Sequence, residues 1–244
     1  PQRKSFAENL KAGKEIYRKL KQNLLRKYRK KIVKLGDEGG FAPPIKFPEE
    51  AIEFILEAAK KLNHEIKIIL DVAASQFLKK GKYKMKIGVF TKENLLRYYE
   101  KLLKNYPIIG LEDPFAEEDF DGFRKITQKF GKKIIIVGDD LTTTNPQRIK
   151  SAKKQRLCNG IIIKPNQIGT ISETLEAAKL AKSFGWKIVV SHRSGETKDD
   201  FIADLAVGIG ADFIKAGAPG PKERMVKYNR LLRIEKELKQ ISNF

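Results

Sequence analysis

The chain of 244 residues contains a single cysteine, Cys158. One thiol can neither form an intrachain disulfide nor build a thiolate metal cluster, so both kinds of site are excluded. Cys158 stands just before a short apolar run. This position predicts a small residue of the buried core.

Long apolar runs are also absent. No stretch approaches the roughly 18 apolar residues that span a bilayer, and no apolar signal region follows the amino-terminal Pro1-Gln2-Arg3-Lys4. These absences predict a soluble, cytoplasmic protein without a membrane partner.

Acidic residues are few relative to basic ones: 30 Asp and Glu stand against 50 Lys and Arg, for a net charge of +20. The basic residues crowd into Lys11 to Lys34 and Lys222 to Lys239, where they alternate with apolar residues at helical spacing. An aromatic stacking platform and an Arg-rich tract, which would favour nucleic acid, are lacking. We therefore favour a solvated basic surface, which would also attract a polyanionic substrate.

Six short apolar segments each end in a charged or imidazole side chain. The terminal residues are Asp71, Glu112, Asp139, Lys164, His192 and Lys215. The segments, such as Gly160-Ile161-Ile162-Ile163, are nearly continuous runs, as are strands buried on both faces. Amphipathic stretches such as Ile171 to Phe184 separate them, which is the alternation of an α/β fold. Most of the gaps match one strand-plus-helix unit, so the charged ends should meet at one rim of a parallel barrel.

The segments before and after these units predict further elements. A basic helix is expected from Ser5, as N-cap, to about residue 30, a tight loop at Leu35 to Pro44, a second helix at Pro48 to Leu62 and a final helix at Lys222 to Ile241. The predicted order is αα(βα)₆, in one domain over residues 1–244. A closed barrel of this type has eight strands, so two strands are expected to be missing from the front.

Three successive predicted strands end in carboxylates, at Asp71, Glu112 and Asp139. Carboxylates that converge on one point repel each other unless a cation neutralises them, and hard oxygen ligands favour Mg²⁺. The sequence therefore predicts a magnesium site. Asp113 and Asp140 directly follow two of these residues and are most easily confused with the ligands.

The next three strands end in Lys164, His192 and Lys215. Basic groups that face a metal across one rim suit an anionic substrate held between the two. A lysine close to a divalent cation and to a second lysine is suited to act as a base. We predict that Lys164 is this base.

Seven short motifs follow one another along the chain. They are GDEGGFAP (36–43), LDVAAS (70–75), LEDPF (111–115), GDDLT (138–142), KPNQIG (164–169), SHRSGET (191–197) and KAGAP (215–219). In these motifs the chain resembles the enolase family, the phosphopyruvate hydratases, over essentially its whole length. The resemblance implies a TIM-type barrel of the enolase kind. It also implies Mg²⁺-dependent dehydration of 2-phosphoglycerate to phosphoenolpyruvate, a glycolytic reaction.

The resemblance also assigns roles to individual residues. The implied roles are Mg²⁺ ligation by Asp71, Glu112 and Asp139, acid–base catalysis by Glu38 and Lys164, and substrate binding by His192, Arg193, Ser194 and Lys215. Lys164 would remove the proton at C2 and Glu38 would assist departure of the 3-hydroxyl. Arg193 and Ser194 would bind the phosphate, and Lys215 the carboxylate.

Members of the family also have an amino-terminal domain and two further barrel strands, which are not found in this sequence. The resemblance therefore implies that a further polypeptide, either a separate chain or the rest of a full-length protein, supplies them, and that the complete enzyme is a homo-oligomer. The alternative is an inactive barrel fragment that binds polyanions or nucleic acid. The retention of Glu38 and all six strand-end residues favours the enzyme, because a scaffold released from catalysis has no physical reason to keep them together.

Overall fold

The computed structural model of the protein describes residues 3–28 and 33–241. These residues fall into two compact units. The first unit comprises the described parts of Pro1–Ile66, His192–Gly208 and Ile214–Phe244, and the second comprises Lys67–Ser191 and Ile209–Phe213. The prediction of a single domain over residues 1–244 stays a prediction.

The elements are numbered along the chain. The helices are α1 (Phe6–Lys27), α2 (Pro48–Lys60), α3 (Lys92–Asn105), α4 (Phe120–Phe130), α5 (Pro146–Gln155), α6 (Pro165–Ile168), α7 (Ile171–Ser183), α8 (Phe201–Gly208) and α9 (Lys222–Ile241). The strands are β1 (Lys34–Leu35), β2 (Phe41–Ala42), β3 (Ile68–Asp71), β4 (Leu78–Lys79), β5 (Lys82–Met85), β6 (Gly88–Phe90), β7 (Ile108–Glu112), β8 (Ile135–Gly138), β9 (Gly160–Ile163), β10 (Lys187–Ser191) and β11 (Phe213–Lys215). No helix within residues 3–28 and 33–241 has both the length and the apolar character needed to cross a membrane.

The main sheet has six strands in the order β11-β10-β9-β8-β7-β3. Strands β3, β7, β8, β9 and β10 pair in parallel. All six predicted strands are present and helices alternate with them, so the predicted α/β fold is confirmed. Strand β9 is buried along its whole length, as its continuous apolar run predicts.

Apolar side chains from several strands form the core of the second unit. Val137, Ile162 and Val189 are buried against one another, with Phe213 packed beside them. The fully buried side chains of such a cluster each stabilise the fold by about 1.5–3 kcal/mol. Cys158 is also buried, and burial raises the pKa of its thiol, which confirms the predicted core position.

A small antiparallel sheet, β4-β5-β6, is inserted between β3 and α3. The pattern of apolar residues does not predict it. Its first hairpin turns through Lys80 and Gly81, both with positive φ (51° and 71°). Positive φ at both central residues is the signature of the type I′ turn that suits two-residue hairpins. This sheet explains why the interval between Asp71 and Glu112 is longer than the others.

Three long helices form the main part of the first unit, where α1 packs on α2 and on α9. Ile16 of α1 contacts Ala58 and Ala59 of α2 in a buried cluster. Helix α1 begins as predicted, because the Ser5 side chain accepts a hydrogen bond from the Glu8 backbone at 3.2 Å. Helix α1 ends at Lys27 and Tyr28 is extended, short of the predicted end at about residue 30. Residues 29 and 30 lie outside the described residues.

The interpretation of the Lys222–Lys239 region as a solvated face is wrong for two of its residues. Arg224 and Lys227 of α9 are each only 1% exposed. The Lys227 ammonium donates hydrogen bonds to the backbone oxygens of Thr197 (2.6 Å) and Glu223 (2.9 Å). Burial of a charge is tolerated when it is hydrogen-bonded in this way.

Candidate active site

The second unit places acidic side chains at the carboxyl ends of neighbouring strands. Asp71 of β3 stands opposite Glu112 of β7, and Glu112 stands opposite Val137 of β8. Asp139 follows directly after β8, and Lys164 follows directly after β9. The carboxyl ends of parallel strands are the usual place for catalytic groups in barrel folds.

Lys164 and Asp139 form a close ion pair. The Lys164 Nζ atom lies 2.5 Å from Asp139 Oδ2, and the two side chains are 14% and 13% exposed. The backbone N–H of Lys164 donates to Thr144 Oγ1 at 2.9 Å, which fixes the start of the side chain. The second oxygen of Asp139, Oδ1, is buried without a hydrogen-bond partner in the described part of the chain. A buried acceptor of this kind is expected to have a partner, and a cation would provide one.

Asp113 has a structural role beside this pair. Its Oδ1 accepts a hydrogen bond from the backbone of Asp139 (2.9 Å) and its Oδ2 accepts one from the backbone of Asp140 (2.7 Å). Burial raises the pKa of Asp113 to about 7, although the two backbone hydrogen bonds oppose the rise. Burial and the charge of Asp139 also raise the pKa of Asp140.

Asp113, Asp139 and Asp140 are a group of acidic residues with ligand oxygens within 4.8 Å of one another. This group shares only Asp139 with the predicted set Asp71, Glu112 and Asp139. Both oxygens of Asp113 already bind backbone amides, so we assign this residue to the support of the turn that carries Asp139. The ligand roles of Asp71 and Glu112 stay predictions.

Replacing Asp113 with Asn should destabilise the protein. The amide group has one acceptor oxygen, so one of the two partly buried backbone N–H groups would face another donor. We expect a loss of about 1–3 kcal/mol in the free energy of unfolding, measured with urea. The matched control is Asp121→Asn, at a half-exposed residue paired with Lys92 and Lys125, which should cost less than about 1 kcal/mol. Equal losses in both variants would contradict the structural role of Asp113.

The first unit holds a second cluster, centred on His192. The Nε2 atom of His192 lies 3.2 Å from Oε2 of Glu38. This contact is the largest cause that lowers the pKa of Glu38 to about 2, and the positive charges of Lys215 and Arg224 add to it. The His192 backbone N–H donates to the carbonyl of Lys215 at 2.9 Å. Three predicted site residues, Glu38, His192 and Lys215, are therefore close together.

The loop that carries Glu38 is fixed by helix α1 and by its own backbone. The Tyr17 hydroxyl donates to the Gly39 carbonyl at 2.7 Å, and the Tyr17 ring stacks on Phe41 at 4.6 Å. The Ala218 backbone N–H donates to the Glu38 carbonyl at 2.9 Å. The predicted tight loop is thus present, bracketed by the short strands β1 and β2.

Arg224 belongs to this cluster, and sequence reasoning did not indicate it. Its guanidinium hydrogen-bonds the His192 ring and the backbone oxygens of Asp37, Arg193 and Ser194. These contacts connect the predicted phosphate-binding residues to the cluster through their main chain. The one feature of the sequence that could have indicated Arg224 is its position in the first turn of the predicted final helix. A cation there opposes the helix dipole.

Parallel strands that alternate with helices and end in carboxylate and lysine side chains define an α/β fold of the TIM-barrel type. The sequence profile described as "Enolase, C-terminal TIM barrel domain" matches residues 1–244. The chain belongs to this enolase family.

Three curated relatives are similar to nearly all of the chain. They are an enolase of Methanocaldococcus jannaschii, 48% identical over 236 residues (96% of this chain, 55% of the relative), enolase B of Dictyostelium discoideum, 47% identical over 250 residues (97% and 56%), and an enolase of Elusimicrobium minutum, 48% identical over 236 residues (96% and 55%). The chain spans about half the length of the curated relatives it matches.

Proposed function

We propose that the protein is a phosphopyruvate hydratase, a lyase that removes water from 2-phosphoglycerate to give phosphoenolpyruvate. The ion pair of Lys164 with Asp139, at the strand ends of an enolase-family chain, is the observation that best supports this function. The reaction would belong to glycolysis and take place in the cytoplasm.

We assign Mg²⁺ binding to Asp71, Glu112 and Asp139. Their positions at the ends of neighbouring strands and the unsatisfied, buried Oδ1 of Asp139 fit a hard cation. When bound, Mg²⁺ would stabilise the negative charge that develops on the substrate carboxylate.

The acid–base steps are assigned to Lys164 and Glu38. Binding of a cation by Asp139 would replace its ion pair with Lys164 and leave Nζ free to act as a base. Nζ then takes the C2 proton, and the electron pair of the broken C–H bond becomes the C2=C3 double bond. The C3–O bond breaks as the oxygen receives a proton from Glu38, so one water molecule leaves. Glu38 is ionised in the unliganded cluster, because His192 and neighbouring cations lower its pKa to about 2. The negative charges of a bound substrate would raise this pKa again and favour the protonated acid.

The substrate anions are assigned to basic and hydroxyl groups of the histidine cluster. Arg193 and Ser194 would bind the phosphate, because a guanidinium fork matches phosphate geometry. Lys215 would bind the carboxylate. His192 would complete the set through its contact with Glu38.

Activity should also need the part of the relatives that this chain does not match. The chain spans 55% of the M. jannaschii enolase. We propose that the remaining segment, on the same polypeptide or on a separate chain, supplies an amino-terminal domain and two barrel strands. The complete enzyme would be a homo-oligomer.

The test is an assay of phosphoenolpyruvate formation, followed by ultraviolet absorbance. The 244-residue chain is assayed alone and together with the remaining segment of a relative, in Mg²⁺ and in excess chelator. We expect dehydration by the completed protein and its loss with chelator. An inactive polyanion-binding module predicts no dehydration in any form, and that result from a folded, completed protein would overturn the proposal.

A further inference from the structure

Arg224 is a buried cation whose position has no simple stabilising explanation. It lies in the first turn of α9, where a positive charge opposes the helix dipole, and it is only 1% exposed. Burial of an isolated charge is strongly unfavourable. The contacts of the guanidinium must therefore account for its presence.

Those contacts join the first turn of α9 to two other segments of the chain, at Asp37 and at residues 192–194. Nη2 donates to the carbonyl oxygens of Asp37 (2.8 Å) and Ser194 (2.6 Å). Nη1 donates to the carbonyl oxygen of Arg193 at 2.9 Å and also contacts Nδ1 of His192. The same fork thus holds the residue before Glu38, the two proposed phosphate-binding residues and the imidazole ring.

The contact with His192 determines where the imidazole carries its proton. A guanidinium has donors only and keeps its proton in proteins, so Nδ1 of His192 has to accept. The ring must then carry its hydrogen on Nε2. That atom lies 3.2 Å from Oε2 of Glu38. An ionised carboxylate carries no hydrogen, so this oxygen can accept a hydrogen bond but cannot donate one.

We propose that Arg224 is a positioning residue that fixes His192 as the Nε2–H tautomer, so that the imidazole keeps an N–H beside Glu38 Oε2, 3.2 Å away. The geometry leaves no room for a proton on Nδ1. His192 therefore presents a fixed N–H to Glu38 and does not shuttle protons. The catalytic consequence rests on the proposed function, whereas the tautomer itself does not.

The backbone near Arg224 is built to admit its side chain. Gly217 has a φ of +86°, and a Cβ atom there would lie 2.7 Å from Cδ of Arg224 and 2.8 Å from the carbonyl oxygen of Glu38. Both contacts are too short for a real side chain. Glycine at this position therefore lets the arginine stem and the Glu38 loop approach each other.

The chain contains a matched control for this arrangement. His64 also lies between an arginine and a glutamate: Nη2 of Arg3 is 2.9 Å from its Nδ1, and Oε2 of Glu15 is 2.9 Å from its Nε2. Arg3 and Glu15 have no place in the proposed active site. The sequence has two histidines, so an experiment that labels histidine observes one ring in each setting.

The test is ¹⁵N NMR of the active form of the protein, with histidine labelled only in the 244-residue chain. Spectra are taken at about pH 8, above the ordinary imidazole pKa of about 6.5. We expect a single Nε2–H tautomer for His192. Ionised Glu38 also favours Nε2–H, so Arg224→Met, which removes every donor, is combined with Glu38→Gln, whose amide can accept or donate. This double variant should give a mixture with the Nδ1–H tautomer, Glu38→Gln alone should keep Nε2–H, and Arg224→Lys in place of Arg224→Met should restore part of the original signal. Arg3→Met should change only the His64 signals.

The same variants are assayed for dehydration. Arg224→Met should lower kcat by about 10- to 100-fold, as loss of a residue that orients a catalytic group does, and Arg3→Met should leave kcat unchanged. An Nδ1–H signal for His192 in the unaltered protein overturns the proposal without any variant, and so does an unmixed Nε2–H signal in the folded double variant Arg224→Met with Glu38→Gln. A tautomer that responds as expected in a completed protein without activity would instead overturn only the proposed function.

Discussion

Lys164→Ala should lower the rate of dehydration by about 10²- to 10⁴-fold, the usual contribution of a general base. The reason is that no other amine would accept the C2 proton from the position that Nζ holds 2.5 Å from Asp139. Exchange of the C2 proton of 2-phosphoglycerate with solvent, followed by NMR in deuterium oxide, isolates this step. We expect the exchange to be lost together with the dehydration.

Two further variants define the result. Glu38→Gln should block loss of water but leave C2 proton exchange running, because only the second step needs the acid. Lys187→Ala is the matched control. Lys187 also forms an ion pair, 2.6 Å from Asp212, but lies at the start of β10 and not at the end of a strand. The activity of this variant should stay close to that of the parent. Exchange at the parent rate in Lys164→Ala would remove the base assignment.

Glu112→Gln should weaken Mg²⁺ binding by more than about 100-fold. The substitution removes one negative charge from the proposed ligand set while it keeps the shape of a buried side chain. Even groups that only orient metal ligands change affinity by about 10- to 100-fold, so a ligand itself should change it more. The affinity is measured by titration calorimetry on the completed protein.

The control for this experiment is Glu100→Gln. Glu100 is a half-exposed residue paired with Lys129 at 2.8 Å and is not part of the proposed ligand set, so its replacement should leave the Mg²⁺ affinity unchanged. If Glu112→Gln also binds Mg²⁺ with the parent affinity, Glu112 is not a ligand. Asp139 and its neighbours would then have to form the site.

The inner strands of the main sheet, β7, β8, β9 and β10, could be predicted because they are mostly buried. A strand covered on both faces shows a continuous apolar run, and the first polar residue after it marks its end, as Lys164 does after β9. The antiparallel insertion could not be predicted in this way. Its strands are short and lysine-rich, and Lys80-Gly81 is a less recognisable turn than Asn-Gly, although the positive φ of both residues meets the same requirement.

The detailed roles within the site depend on contacts that sequence spacing does not contain. Neighbouring residues of a strand face opposite sides, but Asp113 follows the end of β7 with a φ of +40°, so this alternation stops at Glu112. Only the structure shows that Asp113 binds two backbone amides. Arg224 was likewise hidden in a basic helix, because its acceptors come from residues far away in the chain.

The hydrogen bonds of Arg224 constrain the design of chimaeras between related proteins. A transplanted 192–197 loop would arrive without its anchor unless the beginning of α9 came with it, since the carbonyls of Arg193 and Ser194 are held from there. The Glu38 loop has the same dependence through Asp37. The three segments therefore depend on one another, and chimaeras should keep or replace them together.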